Sequence, residues 1–160
     1  MTRNEPCLQE GPLTDAAWRR QLAEHGARLP FAEPADASTL DEAERTLGLA
    51  LPIELRQLLE QCNGVTDRSG AAVIWSAAEL APRNAQFRGN PEFRQLYMPF
   101  DALFFFGEAG NGDQFFYRIL AGEVREFDIY LWDHETDSRQ WRASRLEAFL
   151  ADVLRVADEP

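Results

Sequence analysis

The chain has 160 residues, 45% of them hydrophobic and 11% aromatic, enough to bury the core of one domain and too apolar for a disordered polymer. Its 16 basic residues, all arginine, face 27 acidic ones, and the formal net charge of −11 repels phosphate backbones and argues against nucleic-acid binding. No apolar run reaches the roughly 20 residues of a membrane span, and the amino terminus lacks an apolar signal stretch, so a cytoplasmic protein is expected.

The first residues, with Pro6, Gly11 and Pro12, read as loose chain. Thr14-Asp15 is expected to open a helix that places Trp18, Leu22 and Leu29 on one side. Pro30 and Pro34 interrupt the chain. Ser38-x-x-Asp41 then reads as a capping-box variant for a helix carrying Leu40, Ala43, Glu44 and Leu47, closed by Gly48. Leu51-Pro52 starts a third helix, because proline suits a first turn whose N–H groups have no partner. Leu55, Leu58, Leu59 and Cys62 make its apolar stripe, and Asn63-Gly64 is the expected left-handed stop.

Residues 71–76 read as a short strand, and 77–96 as short helices and a loop. Residues 100–106, 113–120 and 124–132 read as strands, with Ala121-Gly122 as a tight turn between the last two. Residues 140–143 form a return strand. Ser144-x-x-Glu147 is a capping box for a closing helix with Leu146, Phe149, Leu150, Val153 and Leu154 on one face. Helices, then a run of strands, then a helix indicate an α+β fold: N-terminal helices followed by an antiparallel meander covered by helices. No linker divides residues 1–160, which form a single domain, with 1–39 as a variable extension carrying one helix.

Three constellations invite chemistry. In Gly107-Glu108-Ala109-Gly110-Asn111-Gly112-Asp113 the acids exclude a phosphate cradle, and the spacing does not match a calcium loop. Its glycines serve a turn between strands. Asp133-His134-Glu135-Thr136-Asp137 sets one imidazole among three carboxylates, whereas a transition-metal site wants more nitrogen or sulfur ligands. No metal, cofactor or catalytic residue is expected here. Phe104-Phe105-Phe106 and Phe115-Phe116-Tyr117 alternate across two faces, so one set is core and the other is a partner patch or a second small core. Cys62 reads as a small core residue, and Cys7 is assigned no role.

The segment LDEAERTLGLALPIELRQLLEQCNGV, residues 40–65, resembles the amino-terminal signature of the SUKH superfamily, also called the Smi1/Knr4 family. The matching positions are Glu44, Leu51, Pro52, Asn63 and Gly64, followed by Gly112-Asp113 and by Trp132-Asp133-His134 before a final helix. The resemblance runs from about residue 40 to residue 154. It implies a helix-plus-sheet fold without enzymatic activity. Bacterial members are immunity proteins that neutralise a cognate toxin, often a nuclease, and some fungal members regulate cell-wall assembly through protein partners. The expected partner is therefore a basic toxin domain, met by Glu108, Asn111 and Asp113 on one loop and Asp133, Glu135 and Asp137 on another. A monomer or weak homodimer is expected, with a scaffold or regulator as the alternative.

Overall fold

The structure, a computed structural model, describes residues 17–156. The expected Thr14-Asp15 cap and Cys7 lie outside the described residues. No helix among them is long and apolar enough to cross a membrane.

Helix α1 (Ala17–Glu24) buries Trp18 and Leu22, and the Trp18 N–H donates to Gln61 Oε1 at 3.1 Å. Leu29 does not extend this face: the chain leaves the helix at Gly26, φ +89°, and Leu29 is 63% exposed. Helix α2 (Ala37–Leu47) is capped by Asp36, whose carboxylate accepts from the Thr39 N–H at 2.8 Å and from the Ser38 hydroxyl. The expected Ser38-x-x-Asp41 box is therefore displaced, since a carboxylate two residues earlier takes the orphan N–H. Asp41 instead accepts from Arg56 at 3.0 Å. Gly48 ends α2 with φ +72°.

Helix α3 (Ile53–Gln61) has Pro52 as its cap residue, one position before the first turn where proline was expected. Glu44 Oε1 accepts from the Leu51 N–H at 3.0 Å, so a carboxylate on α2 fixes the corner into α3. Leu55, Leu58, Leu59 and Cys62 are all buried, and burial pushes the Cys62 thiol pKa up. The stop differs from expectation. Cys62 ends the helix in extended backbone and the positive φ falls on Gly64 alone. Asn63 reaches across the chain, its side-chain oxygen accepting from the Ala77 N–H at 2.8 Å.

Strands β1 (Val65–Thr66) and β2 (Ala72–Ile74) form a small hairpin, of which β1 was not anticipated. Helices α4 (Ala77–Gly89) and α5 (Pro91–Leu96) follow. Residues 77–96, read as short helices and a loop, form these two helices, and Pro82 lies inside α4. It and Ala78 are both exposed, so water reaches the carbonyl that loses its N–H partner.

The main sheet is an antiparallel meander, β3 (Leu103–Glu108), β4 (Gln114–Arg118), β5 (Ile129–Trp132) and β6 (Arg139–Ala143), in that spatial order. Strands β4 and β5 are shorter than expected, since Leu120 and Glu123 pair to close the turn and β5 joins the ladder only at Ile129. Strand β3 instead starts later and runs on to Glu108, and β6 starts one residue earlier. Helix α6 (Leu146–Val156) closes the fold. It begins one residue later than a Ser144 cap would start it, and the buried Glu54 carboxylate accepts from the Leu146 N–H at 3.0 Å.

Both aromatic faces are buried. Phe106 and Phe115 meet Phe149 of α6, with ring centroids at 5.7 and 4.6 Å. On the other face Phe105 meets Phe87 of α4 at 4.8 Å and Phe100 at 5.4 Å. The second set is thus a second small core under α4 and α5, not an open patch.

The outer side of β3 is covered piece by piece. Its Phe106 C=O accepts from the Trp75 N–H at 2.8 Å, and its Leu103 C=O from Arg88 at 2.9 Å. Between them the buried Asn84 amide donates to the Phe105 C=O at 2.8 Å and accepts from the Phe105 N–H at 2.9 Å. The ladder bulges between Phe105 and Gly107, where the backbone lies against Val73 of β2.

Candidate partner-binding site

A four-stranded meander puts its first and third connections at the same end, so the acidic loops after β3 and β5 meet. Their junction is one carboxylate: Asp113 Oδ1 accepts from the His134 N–H at 3.1 Å and lies 2.6 Å from His134 Nδ1. Asn111 shapes its own loop, its side-chain oxygen accepting from the Asp113 N–H at 3.0 Å. Gly112 is required by contact as well as by conformation: its φ is +105°, and a Cβ there would lie 2.9 Å from the His134 ring.

The other loop is equally tied. Asp133 Oδ1 accepts from the N–H groups of Glu135 and Thr136 at 2.8 and 3.2 Å, an Asx-type turn. Asp137 accepts from the Trp132 indole at 2.8 Å and from the Met98 N–H at 2.9 Å. The Tyr97 hydroxyl donates to the His134 C=O at 2.9 Å. Gly112, Asp113, Trp132 and His134 thus belong to one assembly of packed and hydrogen-bonded loops.

The six expected contact residues are at one end of the sheet but are not equally available. Asp113 and Asp137 are used internally, and Glu108 faces Arg83 at 3.5 Å. Glu135 and Asn111 are exposed, and Asp133 is half-buried. Sequence reasoning missed Asp67, in the β1–β2 turn, and Asp152, on α6. Asp67 carries a turn signal, accepting from the Ala71 N–H at 2.9 Å, whereas nothing local marks Asp152. With Asp113 these border a cleft of about 320 Å³ beside the loops.

The Asp113 hydrogen bond raises the His134 pKa above the ordinary imidazole value; loss of hydration opposes the rise, and the charges of Asp113, Glu135 and Asp133 add to it. Burial would raise the Asp113 pKa, but the bonds from the His134 ring and backbone outweigh it and hold the carboxyl below its usual value. A raised histidine contributes stability below its ordinary pKa and loses it as pH rises through the folded value. A depressed aspartate contributes above its ordinary pKa and loses it as pH falls through the folded value. The clasp is therefore strongest in mild acid. Thermal melts at about pH 6 and about pH 8.5 should show a larger acid-side gain for the wild type than for His134→Gln. An identical pH shift in both proteins would remove this titration from the account.

Ligand atoms of Asp113, Asp133 and His134 lie within 4.8 Å of one another. The set offers a single nitrogen, and the His134 Nδ1 faces Asp113. Two backbone N–H groups occupy Asp133 Oδ1. That donor set suits the joining of two loops better than a transition metal.

A SUKH family model described as SMI1-KNR4 cell-wall matches residues 37–150, more than half of the chain. No curated protein matches it significantly. The matched span holds the Glu44–Leu51 corner and both clasped loops, and it stops within α6.

Proposed function

The chain belongs to the SMI1-KNR4 family of SUKH domains, and from that membership we propose a non-enzymatic protein-binding domain that acts as an immunity protein, neutralising a basic bacterial toxin. The observation that carries this reading is the joining of two acidic loops into one end of the sheet. A surface whose loops are already ordered loses less conformational freedom on binding. A net charge of −11 speeds encounter with a cationic enzyme and favours occlusion of its nucleic-acid-binding face.

The test is capture from the native host, with this protein as bait at low and moderate salt. A stoichiometric basic partner that loses toxicity when bound is the expected result. Reversing Glu108 and Glu135 together to arginine should slow association about ten-fold or more at low salt and flatten its salt dependence. Unchanged kinetics in that double variant would take the rim out of the interface. The family description as cell-wall favours a second reading, a regulator acting through protein partners. Recovery of housekeeping or envelope-assembly proteins in place of a toxin would select it.

A further inference from the structure

The cleft beside the clasped loops has a chemistry that the rim alone does not. Phe115, Leu131, Phe149 and Val153 contribute apolar surface, the two rings 4.6 Å apart and edge to face. Carboxylates come from three different elements: Asp67 from the β1–β2 turn, Asp113 from the β3–β4 connection and Asp152 from α6. Its volume of about 320 Å³ is at the small end for ligand sites, the scale of one long side chain and its solvent and not of a helix or strand.

Resting on the immunity reading, we propose that this cleft is the socket for a single arginine side chain presented by the basic protein partner. An arginine stem covers apolar surface while its planar guanidinium stacks on aromatic rings and meets carboxylates in a fork, a combination lysine does not offer. Asp152 is the carboxylate free to turn toward such a guest, because its present tie is an exposed pair with Arg155 at 3.3 Å. Asp113 is held by His134, and Asp67 by its own turn, so both act as fixed charges on the wall. Arg142 is the cation among the lining residues, and it is exposed. It opposes a cationic guest and gives the site a charge signature with two signs.

The experiment is an NMR titration of the whole protein with N-acetyl-arginine methylamide and with the corresponding citrulline derivative, which keeps the shape and removes the charge. Saturable shifts centred on Asn111, Phe115 and Val153 are expected with the arginine compound, at least five-fold tighter than with citrulline. Asp152→Asn should weaken the arginine compound about three-fold and Arg142→Gln should tighten it by a similar factor. A gain of binding in one variant and a loss in the other is not produced by damage to the fold. Equal binding of the two compounds, no saturable shifts, or the same affinity in both variants would overturn the socket. The host capture separates this from the parent reading: a toxin retained equally by Asp152→Arg leaves immunity standing and removes the socket. Arginine binding with the stated signature but without a toxin partner keeps the socket and removes immunity.

Discussion

Replacing Gly107 by alanine is expected to lower the stability of the domain by about 3–5 kcal/mol, a large share of the 5–15 kcal/mol typical of a folded domain. A Cβ at this position would lie 1.9 Å from the Val73 carbonyl oxygen and 2.5 Å from its carbon. Both are backbone atoms of the neighbouring hairpin, so no rotamer change relieves the clash. Strand β2 must move away from β3, and the Trp75 N–H bond to the Phe106 carbonyl at 2.8 Å goes with it. Gly89→Ala is the matched control. It ends α4 with nothing within 4 Å of the added methyl, and should be neutral or stabilising by up to about 1 kcal/mol. Urea denaturation compares them: a similar midpoint for the two variants at unchanged slope would refute the contact argument.

Asn84→Leu is expected to cost about 2–5 kcal/mol, although it replaces a polar side chain by an apolar one in a core. Asn84 is 1% exposed, and its amide serves the Phe105 N–H and C=O as a neighbouring strand would. Leucine leaves both buried backbone groups without these partners, each worth roughly 1–3 kcal/mol. Asn84→Asp separates the two contributions, since a carboxylate still accepts from the Phe105 N–H but donates nothing to the carbonyl. Wild-type stability in Asn84→Leu would mean that water or a backbone shift takes over the amide's role.

Asn84 also explains where the sequence was legible and where it was not. Helices α2, α3 and α6 bury apolar residues at three- and four-residue spacing, and periodicity found them, although α3 also buries Glu54 and Gln61. The alternation of Phe104, Phe105 and Phe106 correctly set two faces apart. Helix α4 buries Ala77, Leu80 and Asn84, so one of its core positions is an asparagine and it carries Pro82 besides. Its pattern looks like a loop because part of its inward face makes hydrogen bonds to a strand edge. The caps were misplaced for a related reason. Asp36 and Glu54 serve N–H groups at helix starts where Ser38 and Ser144 had been expected as caps. Asn63 serves the Ala77 N–H instead of only ending α3, and for Glu54 and Asn63 the partner is distant. No local pattern reports a bond that exists only after the elements have packed.

At the candidate site, the order of residues identified both acidic loops, and the structure brings them together at one end of the sheet. That order did not distinguish carboxylates that face solvent from those spent inside. Asp137 reads as one more acidic turn residue, yet its two oxygens hold an indole and a distant backbone N–H. Asp67 and Asp152 were missed because the β1–β2 turn and α6 reach the site through space, far from the loops in sequence.

The cover over β3 also gives the main sheet a direction. With Trp75, Asn84 and Arg88 occupying the hydrogen-bonding groups along that side, another strand has no template there. Strand β6 stands at the opposite end of the order, with arginines at 139 and 142 and a register shift in its pairing with β5. Charge and irregularity of this kind discourage edge-to-edge addition. Growth of the main sheet by a foreign strand, a swapped copy or an aggregating neighbour is thus steered to one guarded flank, leaving the opposite side of the domain inert to it.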